Sequence, residues 1–221
     1  MKGGEFMAYT SNLKVVAAIC GNFFQESGVN PGIWENLTVG APGFGLGQWT
    51  DNPPVVQRRT ALFNWLDAND YAHDSGQGQM EFLVYENLWI PSLIQQSAYN
   101  TMTDYFNSTS TSIHDLTLEW MFHWEGINDG TDAIREQEAN RFYNIFVNDP
   151  GIRNPWTARN SYLTQTECDN NALLIKDFLY GTSPTPPTPP TPITPTDEEL
   201  LLLFKKAMIL KKKGVNFHIV F

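Results

Sequence analysis

At 221 residues the chain has room for one good core and little more. A formal charge of −10 excludes attraction of the whole to nucleic acid or an anionic membrane, and two cysteines, Cys20 and Cys168, make no disulfide framework. The charge is uneven: residues 1–181 carry 9 Lys/Arg against 21 Asp/Glu, whereas 182–221 carry 5 against 3.

In chain order, Leu13, Val15, Val16, Ala17, Ile19, Cys20, Phe23 and Phe24 mark an apolar helix, with Ser11 or Asn12 as N-cap and Gly28 and Asn30-Pro31-Gly32 as its stop. Residues 31–54 are too rich in Gly and Pro for a long element and predict a small hairpin or loop lobe. A helix over 55–66 would turn Leu62, Trp65 and Leu66 inward, and a second, apolar one over 79–96 should kink or split at Pro91. Further helices are expected over 113–124, over 132–146 with Arg135, Glu138 and Arg141 as surface pairs, and over 172–179. The expected class is mainly α, with a small α+β element.

From Ser183 to Thr196 the sequence is almost wholly proline and threonine. It should be an extended polyproline II spacer of roughly 43 Å, at about 3.1 Å per residue. This divides the chain into a unit at 1–181, a linker at 182–196 and a tail at 197–221. In the tail, Asp197, Glu198 and Glu199 open a helix that Lys211, Lys212 and Lys213 close, with Leu200, Leu203, Phe204, Ala207 and Met208 as its apolar stripe. Val215, Phe217, Ile219 and Phe221 then alternate as a strand. Such a piece cannot bury its own apolar face. It should dock on another protein; contact with a membrane surface and packing back on the core are the rivals.

The chemistry gathers at the end of the first helix. Glu26 lies in its last turn, where the dipole favours a cation, and beside Phe23 and Phe24. A carboxyl held protonated by apolar surroundings suits general acid work, and burial would raise its pKa. About twenty residues on come Gly43, Phe44, Gly45, Leu46, Gly47, Gln48 and Trp49, where the glycines admit close backbone approach, Gln48 offers a donor and an acceptor, and Trp49 an apolar plate. Cys20 reads as a small buried hydrophobe; its alternative, a nucleophile paired with His73, His114, His123 or His218, lacks the dipole that lowers a thiol's pKa. His123 and Glu125 lack a third ligand, so neither metal nor other cofactor is expected.

These motifs resemble the phage tail lysozyme family, within the lysozyme-like superfamily. The residues that carry the resemblance are 18–22 (Ala-Ile-Cys-Gly-Asn), Glu26-Ser27, Asn30-Pro31-Gly32, Trp34, Asn36-Leu37, Gly43-Phe44-Gly45-Leu46 and Gln48-Trp49-Thr50. A weaker match involves Trp124-Glu125, Arg135, Ala139 and Phe142-Tyr143, and the whole spans roughly 11–148. The resemblance implies a lysozyme-like fold and a protein of the tail knob of short-tailed phages that cuts the peptidoglycan of a Gram-positive host wall. Glu26 would be the acid, Ser27, Phe44, Gln48, Trp49 and Glu125 would contact the glycan strand, and the tail would meet other tail proteins. A base or nucleophile among Glu35, Asp51 and Glu125 is open: Glu35 and Asp51 read as solvated surface, and Glu125 as lining the groove or holding Arg135. The alternatives are a lytic transglycosylase, which needs no second carboxylate, and a non-catalytic wall-binding tail part. Neither an export signal nor a run of about eighteen apolar residues is evident, so a phage particle or a holin would have to bring the protein to the wall.

Overall fold

The computed structural model describes residues 8–52 and 56–181. The expected linker and tail, 182–221, lie outside the described residues. The elements follow the order α1 (Leu13–Ser27), a 3₁₀ turn (Glu35–Leu37), β1 (Gly43–Phe44), β2 (Trp49–Asn52), β3 (Val56–Gln57), α2 (Arg58–Ala68), α3 (Gly76–Glu86), α4 (Met102–Phe106), α5 (Ile113–Trp120), a π-helical turn (Met121–Glu125), α6 (Asp132–Val147) and α7 (Gln165–Tyr180). The fold is mainly α, as the sequence predicts.

Helix α1 is the axis of the molecule. Residues Val15 to Cys20 are fully buried, and the helix packs against α5, α6 and α7. Its two valines and one isoleucine are poor helix formers in isolation, so burial on all sides stabilises it here. Asn12 caps it by accepting from the Lys14 N–H at 3.0 Å, and its side-chain amide also donates to the carbonyls of Ser108 and Ser110, both at 2.9 Å. Gly28, left-handed at φ 64°, ends it. The small lobe is a three-stranded antiparallel sheet in the order β1-β2-β3, with Phe44 opposite Trp49 and Asp51 opposite Gln57.

Several boundaries differ from expectation for identifiable reasons. Helix α3 ends at Glu86, well before Pro91, because Asn87 takes a left-handed φ of 44° and its N–H returns to the Leu83 carbonyl. Helix α2 begins at Arg58, after the short strand β3. Helix α7 is twice the expected length: Thr164 and Glu167 form a capping box, and its first half buries the amides of Asn170 and Asn171 beside Cys168 and Ala172. Those amides bond the backbone of 154–157, a stretch the apolar pattern does not register. Arg135 is a core residue, 1% exposed, and not a surface partner of α6.

Helices α1 and α6 touch backbone to backbone at Gly21. A Cβ there would lie 2.7 Å from the Ala139 nitrogen and closer still to the Arg135 carbonyl oxygen. Neither obstacle is a flexible side-chain end, so relief requires the helices to separate. Gly21→Ala should therefore lower the unfolding free energy by about 1–3 kcal/mol, the usual cost of overpacking. A urea midpoint equal to that of the parent would refute the close crossing.

Candidate active site

A cleft of about 450 Å³ opens between the end of α1, the 3₁₀ turn and the chain entering α7; Glu26, Trp34, Glu35, Gln48 and Tyr162 are among its walls. A smaller hollow of about 280 Å³ is also bounded by Glu26, Glu35 and Gln48, with Arg58, Glu125 and Ile127 beyond. Three of the expected residues thus share one surface: Glu26, Gln48 and the edge of Glu125.

Glu26 does not sit in an apolar cage facing Trp49. Its side chain is 22% exposed, and Arg135 Nη2 donates to its Oε1 at 2.6 Å. Arg135 Nη1 donates at 2.6 Å to Glu125 Oε2 and at 3.0 Å to Asn22 Oδ1, while its Nε donates at 2.8 Å to Thr131 Oγ1. One buried guanidinium therefore grips two carboxyls. The second of them, Glu125, is carried by the π-helical turn that continues α5 and is closed by left-handed Gly126. Such turns are frequent at functional sites. Burial pushes the Glu125 carboxyl well above the usual carboxylate range; Arg135 opposes this, and the charge of Glu26 adds to it. Glu125 Oε1 is buried without a hydrogen-bond partner among the described residues, as suits a carboxyl that keeps its proton.

The other acids separate cleanly. Glu35 is exposed on both hollows, with Oε2 accepting from the Gly43 N–H at 3.1 Å. Asp51 is occupied by the start of α2: it accepts from the Thr60 N–H and hydroxyl and pairs with Arg59 at 3.0 Å. The sequence reading of both as solvated surface holds for Glu35, which is exposed, and fails for Asp51, which is buried.

The expected sugar-contacting aromatics are core residues. Trp49 is fully buried against Phe82 and Trp124 and donates its Nε1–H to Glu86 at 3.3 Å, on the carboxylate that Arg58 also grips. Phe44 is buried against Trp34 and Phe63. Ser27 borders the cleft, but its hydroxyl lies 2.9 Å from the Phe23 carbonyl and 2.7 Å from that of Leu46, tying helix to loop. The space beside Gly43, Gly45 and Gly47 is filled by Gln48, Gln79 and Trp124, leaving no groove for a ligand backbone. Gln48 does face the cleft, and holds a left-handed φ of 45°, rare for a residue with a side chain; its amide donates to the Ile33 and Gly45 carbonyls. Sequence reasoning missed Trp34 and Tyr162 as the ring-bearing walls, and buried Gln79, which receives the Leu46 N–H at 2.9 Å and donates to Pro31 and His73. Their signals were position relative to the turn, not residue type.

Cys20 is fully buried, and burial pushes its thiol far up, so no nucleophile is available there. His123 is buried, with Nδ1 donating to the Ile90 carbonyl. Among the described residues no group of three or more His, Cys, Asp or Glu is placed to hold a metal ion, and no helix is long and apolar enough to cross a membrane.

Residues 6–146 match the family described as phage tail lysozyme, which takes in α1, the small lobe, the π-helical turn and α6. The chain belongs to that family. A curated relative, morphogenesis protein 1 of Bacillus phage B103, is 32% identical over 117 residues, a match covering 49% of this chain and 28% of the relative. The chain thus corresponds to little more than a quarter of that protein's length.

The buried carboxyl has a thermodynamic signature. Glu125 binds its proton more tightly folded than unfolded, so above its ordinary value of 4.5 the native state holds the extra proton and stability falls as pH rises. Glu125→Gln removes that dependence. Between about pH 4 and about pH 8 the wild type should lose stability relative to the variant, read from denaturant curves at each pH. A constant gap would mean that Glu125 is ionised in the fold.

Proposed function

We propose that this member of the phage tail lysozyme family is a peptidoglycan glycosidase of muramidase type that opens the host wall locally, with Glu26 as general acid. The observation that carries this reading is that Glu26 and Glu35 line one cleft, while Asp51 is bound to the start of α2 and Glu125 is buried on Arg135.

Cleaving a glycosidic bond requires a proton on the leaving oxygen as positive charge builds on the ring. Glu26 is held by Arg135 and is partly open to the cleft, where its carboxyl can reach the leaving oxygen of a bound strand. Because burial favours the neutral form of Glu125, Arg135 is not shared equally between two anions, and it fixes the Glu26 carboxyl. On the facing wall, Glu35 can take a proton from water as that water attacks the anomeric carbon. An acid and a base set far enough apart to admit that water would invert configuration. Gln48, at the junction of both hollows, is the polar contact for a sugar amide or hydroxyl.

In the same reading, 1–181 is the catalytic unit, 182–196 a spacer, and 197–221 the segment that joins other tail proteins. The phage particle would then bring the enzyme to the wall.

Digestion of purified peptidoglycan followed by mass spectrometry tests the chemistry. Wild type should release fragments with hydrated reducing ends. Glu26→Gln should lower turnover by about 10²–10⁴-fold, the usual contribution of a general acid, and Glu35→Gln should also lower it severely. Anhydro-muramyl ends, with Glu35→Gln fully active, would replace the hydrolase by a lytic transglycosylase. No fragments from the wild type would leave a non-catalytic wall-binding part.

A further inference from the structure

Residues 147–164 lie beyond the segment matched to the family, yet they build one wall of the cleft. At its rim is Tyr162, 76% exposed, and next to it half-buried Leu163. A tyrosine that open to water contributes little to folding; the ring has no ring or hydroxyl partner among the described residues.

Its backbone, by contrast, is held from both sides. The buried Asn30 side chain donates to the Arg159 and Ser161 carbonyls, both at 2.8 Å. Arg159 donates to the Tyr162 carbonyl at 3.3 Å and forks onto Glu167 at 2.7 and 2.6 Å, while Thr164 caps α7. The mount reaches the other wall directly: the Asn160 side chain accepts from the Trp34 N–H and donates to the Leu37 carbonyl, each at 3.0 Å. A free ring on a fixed backbone, coupled to the turn that carries Glu35, is a preorganised contact surface.

We propose that Tyr162 is a sugar-stacking subsite of the cleft, where the ring lies against the apolar face of a hexosamine in the glycan strand. This rests on the glycosidase reading and extends it to how the strand is held away from the cleaved bond. The chemistry of the surroundings selects the occupant. Residues 1–181 carry a large excess of acid, and Glu26 and Glu35 line this cleft, so an anionic polymer is repelled. An uncharged sugar ring, apolar on its face and polar on its edge, suits an aromatic plate with the amide of Gln48 nearby.

The test uses the full chain and a soluble octasaccharide of alternating N-acetylglucosamine and N-acetylmuramic acid, with the lactyl carboxyls amidated so that the probe is uncharged. Tyr162→Ala should raise KM about tenfold rather than lower kcat, and Tyr162→Phe, which keeps the ring, should recover most of that loss. Thermal unfolding should be the same for both variants, since the ring is exposed; a fall in Tm for Tyr162→Ala would give the residue a structural role and overturn the subsite. Calorimetric titration of the octasaccharide separates the two readings. Binding that depends on Tyr162 without turnover by the wild type would keep the subsite and remove the glycosidase. Turnover indifferent to Tyr162→Ala would keep the glycosidase and remove the subsite.

Discussion

One buried cation organises both the fold and the cleft. Arg135 projects from the first turn of α6 and contacts Glu26 and Asn22 on α1, Glu125 on the π-helical turn and Thr131 at its own N-terminus. Taking a guanidinium out of water costs several kcal/mol, and only geometry that satisfies its forked donors offsets this. Here four of those contacts are 3.0 Å or shorter. The arrangement demands that α1 and α6 approach until their backbones meet, which a residue with no side chain at position 21 permits. A charge that stabilises nothing unless three elements are in register also makes the register specific.

The same cation holds two carboxyls in different surroundings. Of the two glutamates on this guanidinium, one is buried and one faces water. The inner one is pushed toward its neutral form, while the outer one keeps access to solvent and to whatever fills the cleft. Separation of roles by environment, between groups of identical chemistry, is the general means by which a protein runs acid chemistry near neutrality. The π-helical turn contributes directly, since it carries Glu125 at its end, where Arg135 meets it at 2.6 Å.

How much of this was legible depended on which signals the sequence carries locally. Helix α1, its Asn12 cap and its Gly28 stop could be read because period and caps are nearest-neighbour properties. Glu26 stood out because an acid at a helix C-terminus contradicts the dipole. Its partner was invisible: Arg135 lies 109 residues away, and on α6 it looks like any surface cation, since nothing in the pattern of that helix records a buried charge. Glu35 was dismissed for the same reason, an exposed acid in a turn having no local signature until the opposite wall is known. The first half of α7 failed differently. Part of its inward face is amide: Asn170 and Asn171 bury themselves by bonding the backbone of 154–157, which apolar periodicity cannot detect.

The aromatic content shows the limit of composition as a guide to ligands. Seven tryptophans in an acidic chain suggest a surface for polysaccharide, yet the large rings mostly stack on one another: Trp124 lies 4.9 Å from Trp120 and 5.7 Å from Trp49, and Trp89 lies 4.9 Å from Tyr105. The packing has a cost, for the indole N–H groups of Trp120 and Trp124 are buried without a partner among the described residues, and each such group forfeits about 1–3 kcal/mol. What it supports is the wall behind the acid. Trp120 precedes the turn that holds Glu125 and Trp124 lies within it, Phe23 of α1 packs edge-on against both, and Arg58 lies over the Trp124 ring at 4.5 Å. A stack this rigid fixes the backbone to which Glu125 and Glu26 are attached, so their spacing is set by ring contacts that never touch the cleft. In this chain most of the aromatic residues pack behind the cleft, and Trp34 and Tyr162 are rings that the core leaves at its edge.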